Sequence, residues 1–409
     1  MPPSKDWHVA EKSFTPRINF DENLAKFKAG FSKRKLTPEN LQWLAGYYPS
    51  RLGLFTHDDV WAKCLILKDK NENAAAIVSV DLLGMLPNDV NELQESVSQF
   101  FNGKLLMAAT HTHSAPDIMG LWGFNIFIPL LTGRDEYYVR FVKQEITSCV
   151  REAAENLAPA IITFAEKDYI NISQGPRDLT SDKSLKLMRV ITEKKSVMLL
   201  NYAVHPDVLK LNYITADFLY YTYDFLEKET GNEIMYINGA IGGVQPKGVP
   251  EVKDHSWAKA KVLGLELGGA ALEALADEKI SQRENIFWKT KVLRLKVENK
   301  NFIRATKMGL IPEQRDSDGK IAVELNYAVI GDAGIITFPG ELFPNIGSKL
   351  KDKMTSPHKL LFGVTNGGLG YMLTPEDFHS GKYNYHKSVS ISSKVGDEVF
   401  KGLIDLMQE

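Results

Sequence analysis

The sequence predicts an α/β protein, a layered fold with a central mixed β-sheet flanked by helices. Strand-like apolar runs alternate with helical patterns along the whole chain, as they do in α/β and other layered folds. Several of these runs are continuously apolar, which is typical of strands that are covered on both faces. The chain has no internal repeat and no low-complexity linker. We therefore expect residues 1–409 to form a single domain.

Eight segments have the composition of buried strands, because aliphatic and aromatic residues fill them over strand-like lengths. The predicted strands are residues 60–67, 74–80, 104–109, 160–166, 196–204, 233–238, 333–338 and 359–365.

Helical periodicity is clearest over residues 135–157, where apolar side chains recur at three- and four-residue steps. A second helix is predicted from a cap at Asp217 to a terminal glycine at Gly231. A third helix is predicted over residues 256–277, and the tail, 392–409, has the pattern of a closing amphipathic helix.

Composition excludes several classes of protein. The formal net charge is −2 and the cationic residues are scattered, so we expect no nucleic-acid partner. The two cysteines, Cys64 and Cys149, rule out a disulfide framework and a cysteine-rich zinc module. No export signal and no membrane-spanning stretch is visible. The chain as given is therefore expected in the cytoplasm, although a trimmed mature form of an exported protein would have the same sequence.

Polar residues that can bind metal follow four of the predicted strands. Ligand sites in sheet-centred folds form beyond strand ends, and zinc accepts imidazole and carboxylate ligands. Taken singly, each residue also has an ordinary explanation, such as a hydrogen bond in a loop, a helix-dipole contact or aromatic packing. The candidates are His111 and His113 after 104–109, His205 after 196–204, Glu341 after 333–338 and Tyr371 after 359–365.

Eight motifs that follow one another along nearly the whole chain resemble a known family. They are AGFSKRKLTP (29–38), THDDVWAKCLILKD (56–69), VSVDLLGM (78–85), ATHTHSAPD (109–117), NYAVHPDVLKLNYITADF (201–218), MYINGAIGGVQP (235–246), FPGEL (338–342) and GYMLTPEDF (370–378). In this order they resemble the catalytic domain of the neutral, non-lysosomal ceramidases. These are zinc amidases that split the N-acyl bond of ceramide into sphingosine and fatty acid.

The resemblance implies a zinc ion and a role for each matching residue. It implies zinc ligands at His111, His205, Glu341 and Tyr371. His113 matches a position that acts beside the metal, at the reacting carbonyl. Arg177 matches a substrate-contacting arginine, and Tyr383 matches a tyrosine that supports the oxyanion. From position and chemistry, Asp81 and Asp217 are candidates for carboxylates that fix the imidazole tautomers.

Two departures from the family pattern bear on mechanism and extent. Gly243 and Gln245 stand where ceramidases carry an aspartate or asparagine and then a serine. Because glutamine is not a nucleophile but its amide can donate to an oxyanion, Gln245 favours attack by metal-activated water over a serine-dependent step. The sequence also ends without the immunoglobulin-like domain that follows in ceramidases.

The segment IMGLWGFNIFIPLLTG (118–133) is unusually apolar for its place beside the histidines. It has two interpretations, a buried loop or short core helix, and an acyl-chain pocket or lipid-facing lip that touches a membrane surface transiently. The sequence thus favours a zinc-dependent hydrolase of an amide bond in an N-acyl lipid, with a small-molecule or lipid substrate. The alternatives are a zinc hydrolase of a non-lipid N-acyl compound or ester, and a lipid-binding relative without turnover.

Overall fold

A large mixed sheet forms the centre of the part of the chain that the computed structural model describes, residues 17–123 and 131–408. Its main strands are β1 (Phe27–Lys35), β2 (Trp61–Lys68), β3 (Ala74–Val80), β4 (Lys104–Ala109), β5 (Ala158–Lys167), β6 (Leu185–Thr192), β7 (Ser196–Tyr202) and β8 (Glu233–Asn238). Their spatial order is β8-β7-β6-β5-β1-β2-β3-β4, and the short strand Lys279–Ile280 pairs with β5. The central pairs are antiparallel, whereas the pairs at the two edges, β3–β4 and β7–β8, are parallel.

A second, smaller sheet packs face to face against the first. Its strands, in spatial order, are β9 (Ile286–Lys296), β10 (Lys320–Ile330), β11 (Ala333–Thr337) and β12 (His358–Phe362). Only the last pair, β11–β12, is parallel. One buried core lies between the sheets, with Leu65 and Leu106 from the first and Ile335 and Leu360 from the second.

Helices cover the outer faces of both sheets. They are α1 (Pro87–Ser98), α2 (Glu136–Glu155), α3 (Phe218–Thr230), α4 (Trp257–Leu275), α5 (Lys300–Lys307), α6 (Pro344–Lys353), α7 (Pro375–His379), α8 (Asn384–Ser388) and α9 (Val395–Gln408), with a 3₁₀ turn at Glu22–Leu24. α1 and α2 pack on one half of the large sheet, α3 and α4 on the other half, and α6 and α9 on the second sheet. Within the described ranges, no helix is both long and apolar enough to cross a membrane.

The predicted layered α/β fold with a helix-flanked mixed sheet is confirmed, and the second sheet is an addition that the sequence analysis did not anticipate. Asp135 and Asp217 cap α2 and α3 through their side chains, and Gly231 ends α3 at a φ of 66°. The strands β1, β6, β9 and β10 were not predicted. Lysine and arginine interrupt the apolar residues of β1, β6 and β9, and Glu324 and Asn326 interrupt those of β10. None of the four therefore forms a continuously apolar run.

Three β-α-β crossovers determine where the strand ends meet. In the described residues, β3-α1-β4, β7-α3-β8 and β11-α6-β12 each join two parallel strands through a helix. Just beyond β12, Gly363 donates to the carbonyl of Asn238 at 2.9 Å, and Val364 accepts from the backbone N–H of Ala109 at 3.1 Å. The two sheets are therefore hydrogen-bonded to each other next to the carboxyl ends of their parallel strands, where ligand sites form.

Four pairs of two-residue strands join loops to one another. They are Trp43–Leu44 with Arg51–Leu52, Phe55–Thr56 with Tyr213–Ile214, Ser173–Gln174 with Gln245–Pro246, and Glu341–Leu342 with Tyr371–Met372.

The packing of α9 on the second sheet gives a stability prediction. Leu403 is fully buried in the core between them, whereas Lys401 is exposed. We expect Leu403→Ala to lower the free energy of unfolding by about 2–5 kcal/mol because it leaves a cavity. Lys401→Ala, the control on the same helix, should change it by less than about 0.5 kcal/mol. Urea denaturation measures both values, and equal values for the two variants would contradict this packing.

Candidate metal centre

The four strand-end side chains selected from the sequence come together at the junction of the two sheets. His111 follows β4 and His205 follows β7, both in the large sheet, whereas Glu341 and Tyr371 follow β11 and β12 of the second sheet. Glu341 and Tyr371 are directly opposite each other in a short parallel bridge. All four side chains are buried. Each sheet thus supplies two of the four residues.

The carboxylate of Glu341 faces both imidazoles. Its Oε2 lies 2.9 Å from Nε2 of His205, and its Oε1 lies 3.4 Å from Nε2 of His111. The opposite ring nitrogen, Nδ1, lies 2.7 Å from the carbonyl oxygen of Val244 in His205 and 2.5 Å from that of Leu83 in His111. Because a carbonyl oxygen can only accept a hydrogen bond, Nδ1 carries the hydrogen in both rings.

This arrangement fits a divalent metal ion. In the neutral form of each ring, Nε2 points a lone pair at the carboxylate, so a proton or a metal cation must lie between them. Ligand atoms around tetrahedral zinc, at bond lengths of about 2.0–2.1 Å, are about 3.3 Å apart, close to the observed spacing. Histidines whose Nδ1–H donates to a backbone carbonyl are also common metal ligands through Nε2. His111, His205 and Glu341 could therefore hold a metal.

His113 lies against the same point. Its ring centroid is 5.3 Å from that of His111 and 5.6 Å from that of His205, and ligand atoms of the three rings lie within 4.8 Å of one another. Both of its ring nitrogens are buried without a hydrogen-bond partner among the described residues. Burial and the two neighbouring imidazoles hold the pKa of His113 well below its ordinary value. A neutral imidazole is thus free to bind metal, water or substrate, and its assignment beside the metal stays a prediction.

A loop that sequence reasoning missed fixes the position of His113. Gly46 has a φ of 97°, and a Cβ at this position would lie 2.4 Å from Cγ of His113. The ring of Tyr47 meets that of His113 edge-on at 5.0 Å. The buried guanidinium of Arg51 donates to the backbone carbonyls of His113 and, at 2.6 Å, of Leu211. Residues this far from the motif in sequence give no local pattern that would reveal these contacts.

The charges at the centre are strongly coupled. Burial raises the pKa of Glu341, but the imidazoles of His111 and His205 outweigh it and hold this pKa well below its usual range. Burial lowers the pKa of His205, but the bond to Glu341 reverses the effect and raises it. Burial and the Glu341 charge raise the pKa of the Tyr371 hydroxyl. A bound cation would favour the anionic forms of Glu341 and Tyr371 instead.

Asp81 and Asp217 do not bond the imidazoles, contrary to the sequence-based hypothesis, because backbone carbonyls occupy both Nδ1 positions. Asp81 accepts from the backbone N–H of Trp61 at 3.0 Å, and Asp217 accepts from that of Phe218 at 2.6 Å at the start of α3. Both carboxylates are buried, and burial raises the pKa of Asp81 to about 6 and that of Asp217 to about 7. Their hydrogen bonds organise the loops around the centre.

The three other predicted site residues lie around the centre. Arg177 is exposed, and Tyr383 packs edge-on against Phe343 at 5.2 Å in the core of the second sheet. Neither is among the described residues that line the pocket over the centre. Gln245, with its amide nitrogen turned toward Asp207, donates to that buried carboxylate at 2.6 Å. Asp207, just after His205, was not selected from the sequence.

Two side chains of α8 that were not selected from the sequence lie close to the centre. The ring of Tyr385 lines the pocket although the residue is largely exposed, and partial desolvation of its hydroxyl together with the Glu341 charge raises the pKa of that hydroxyl. The ring of His386 meets that of Tyr371 at 4.7 Å, and Nδ1 of His386 is buried with no hydrogen-bond partner in the part of the chain that the structure describes. A Cβ at Gly243 would lie 2.8 Å from Nε2 of His386. The missing side chain at position 243 therefore leaves room for this imidazole.

The centre opens into a pocket with largely apolar walls. Leu121 and Trp122, from the apolar segment 118–133, are among its lining residues. Asp117 fixes this wall by accepting from the backbone N–H groups of residues 119, 120 and 122. Residues 118–123 form bends rather than a helix. The hypothesis for 124–130 lies outside the described residues.

The fold is similar to those of two solved ceramidase structures. Neutral ceramidase from Pseudomonas aeruginosa superimposes with a TM-score of 0.76 and 13% identity, over 94% of this chain and 74% of that one. A structure described as ceramidase complexed with C2 gives a TM-score of 0.77 at 13% identity, over 94% and 75% of the two chains. No family model matches the sequence. A search of curated proteins finds no match either.

The geometry at Glu341 gives a prediction about metal binding. We expect His111→Ala and His205→Ala each to lower zinc affinity, because each removes a ligand. The loss should exceed the roughly 10–100-fold loss that is typical when a residue hydrogen-bonded to a ligand is replaced. His113→Ala should retain the metal. His379→Ala, at an exposed histidine, is the control. Metal content after equilibration with zinc and gel filtration measures this, and an empty wild-type protein with an intact fold would contradict it.

Proposed function

We propose that this protein is a zinc-dependent amidohydrolase that cleaves the linear amide bond of an N-acyl lipid. The observation that carries the proposal is the carboxylate of Glu341 held between Nε2 of His111 and Nε2 of His205. The ceramidase-like fold supports it, because the two solved neighbours are ceramidases by name. Tyr371, opposite Glu341 in the short bridge, completes the proposed ligand set.

The proposed reaction adds water to the amide carbonyl carbon, breaks the C–N bond and releases a carboxylate and an amine. Zinc, when bound, polarises the carbonyl and lowers the pKa of water. We assign to His113 the transfer of a proton from the attacking water to the amine nitrogen. Its unpartnered nitrogens and neutral state support this role.

Arg177, Tyr383 and Gln245 remain our candidates for residues that orient the substrate. Gln245 is bound to Asp207 through one amide N–H, and glutamine has a second N–H that can donate to a developing oxyanion. Tyr385, which lines the pocket, is a further candidate for a hydroxyl donor at the carbonyl. Serine has no part in this mechanism, since Gln245 stands in the serine position of the ceramidase pattern.

The walls of the pocket support a lipid substrate. Leu83, Met119, Trp122 and Phe302 line it beside the polar centre, and apolar walls with a few convergent polar groups are typical of sites for apolar ligands. A second candidate function is lipid binding without turnover. The glycine at 243 and the glutamine at 245 favour it, because both differ from the ceramidase pattern.

A substrate panel separates these functions. We expect the zinc-loaded protein to hydrolyse ceramide or another long-chain N-acyl lipid with a higher kcat/KM than an N-acetyl amine that shares the same amine part. Apolar contacts in the pocket would account for the difference. Chelation should abolish turnover and added zinc should restore it. Equal rates on both substrates would favour a non-lipid substrate, and tight lipid binding without product would favour the binding protein.

The contact between Gly46 and His113 gives a matched pair of glycine variants. Gly46→Ala would place a methyl group against the His113 ring, whereas Gly231→Ala adds one at a similar positive φ with no atom within 4 Å. We expect Gly46→Ala to lower kcat by at least tenfold with zinc retained, because the ring must move. Gly231→Ala should cost about 1 kcal/mol of stability and leave kcat unchanged. Equal kcat values for both variants would contradict the role of His113.

A further inference from the structure

A pocket with positively charged walls lies beside the short bridge of Ser173–Gln174 with Gln245–Pro246, on the loop that leads into β6. Three of the described residues that line it are cationic, and none is acidic. The whole chain, by contrast, has a formal net charge of −2. We call this cavity the cationic pocket and define it by Ser173, Arg177, Thr180, Ser181, Lys183 and Lys247.

The cationic groups of this pocket have no carboxylate partner among the described residues. Nζ of Lys183 donates to the neutral amide oxygen of Asn171 at 2.7 Å and lies 5.0 Å from the ring centroid of Tyr169. The side chains of Arg177 and Lys247 make no hydrogen bond and no ion pair within the described ranges. Because a cleft lined by charges of one sign concentrates counter-ions, these three groups would attract an anion.

The two carboxylates on the same loop, Asp178 and Asp182, are paired with lysines from elsewhere in the chain. Asp178 forms a 2.5 Å ion pair with Lys382, and Asp182 forms one with Lys351. Neither carboxylate lines the pocket. Since each of these pairs carries no net charge, the positive charge of the pocket walls is not cancelled by the loop that bears them.

Hydroxyl groups and a backbone N–H form the buried side of the cationic pocket. Oγ of Ser181 lies 3.2 Å from Oγ of Ser173, which in turn lies 3.1 Å from the hydroxyl oxygen of Tyr202. Because Tyr202 donates its own hydrogen to the carbonyl of Ile170 at 2.7 Å, Ser173 is the donor to Tyr202. Ser181 is buried, and its backbone N–H donates to no other described residue. A buried N–H of this kind needs an acceptor, which a ligand could supply.

The cationic pocket and the pocket over the metal centre are separate but adjacent. In the described part of the chain they share no lining residue. The loop of the cationic pocket reaches the glycine-rich loop at Pro176, whose Cβ would lie 2.9 Å from a Cβ at Gly243. Gln174 lines the cationic pocket and is paired with Gln245 in the short bridge. Arg177, which the family resemblance assigns to the substrate, therefore lies in a cavity of its own beside the centre.

We propose that the cationic pocket binds the phosphate group of a phosphate monoester or of inorganic phosphate. A guanidinium and two ammonium groups, with hydroxyls beside them, are donors that proteins use for phosphate oxygens. At neutral pH a phosphate monoester carries a charge of about −1.5 to −2, which would offset most of the positive charge of the walls. The inference goes beyond the proposed function, because a ligand in this pocket does not have to touch the metal or the reacting amide.

The test is calorimetric titration of the zinc-loaded protein with inorganic phosphate and, separately, with glycerol phosphate. We expect binding of at least one of them, and no binding of acetate, which has one charge and fewer oxygens. A double variant with Lys183→Gln and Lys247→Gln should weaken phosphate binding at least about tenfold, because it removes two charged donors. Lys261→Gln, at an exposed position of α4 outside the pocket, is the control.

The outcomes separate a phosphate site in this pocket from other ways of binding an anion. The tighter of the two ligands shows whether the phosphate is free or part of an ester, and either result supports the inference. Phosphate held by a zinc ion at the metal centre would bind the double variant as tightly as the wild type, which would overturn it. Equal weakening by Lys261→Gln would also overturn it, because it would indicate a general effect of charge.

Two further measurements keep the test independent of folding and of membranes. Inorganic phosphate should raise the melting temperature of the wild-type protein and not that of the double variant, and the melting curve without phosphate shows that the variant is folded. Binding to phosphatidylglycerol vesicles without any binding of glycerol phosphate would make this surface a membrane contact and overturn the inference. Each result holds whether or not the protein hydrolyses an amide.

Discussion

The carboxylate of Glu341 is the constraint on which the site depends. It is buried, it faces two imidazoles, and each of these rings is oriented by a backbone carbonyl from a different loop. A buried anion without compensating charge is costly, so the loops that bring His111 and His205 to it are part of its stabilisation. His111 adopts a φ of 67° to reach this position. Such backbone strain persists where the surrounding structure determines it.

The sequence predicted the strands that end at the site better than the sheets as a whole. β3, β4 and β8 were predicted to the residue because both of their faces are buried, so most of their positions are apolar. β9 and β10 were missed because charged and apolar residues mix in them, and the second sheet was missed with them. Strand-end side chains such as Glu341 could be selected because a strand precedes each. Arg51 and His386 approach through tertiary contacts alone, which no local pattern encodes.

Gly243 and Gln245, which differ from the expected ceramidase pattern, both lie against polar side chains next to the centre. Gly243 lacks a side chain, and the space beside it is taken by His386, which also packs on Tyr371. The amide of Gln245 donates to the carboxylate of Asp207, which lies two residues after His205.

The division of the four proposed ligands between two sheets has a thermodynamic consequence. A metal held by His111 and His205 on one side and by Glu341 and Tyr371 on the other would be a cross-link between the two layers of the sandwich. Binding to the folded state alone adds RT ln(1 + [L]/Kd) to the free energy of unfolding. The concentration of free metal would thus set the stability of the two-sheet structure as well as the catalytic activity of the protein.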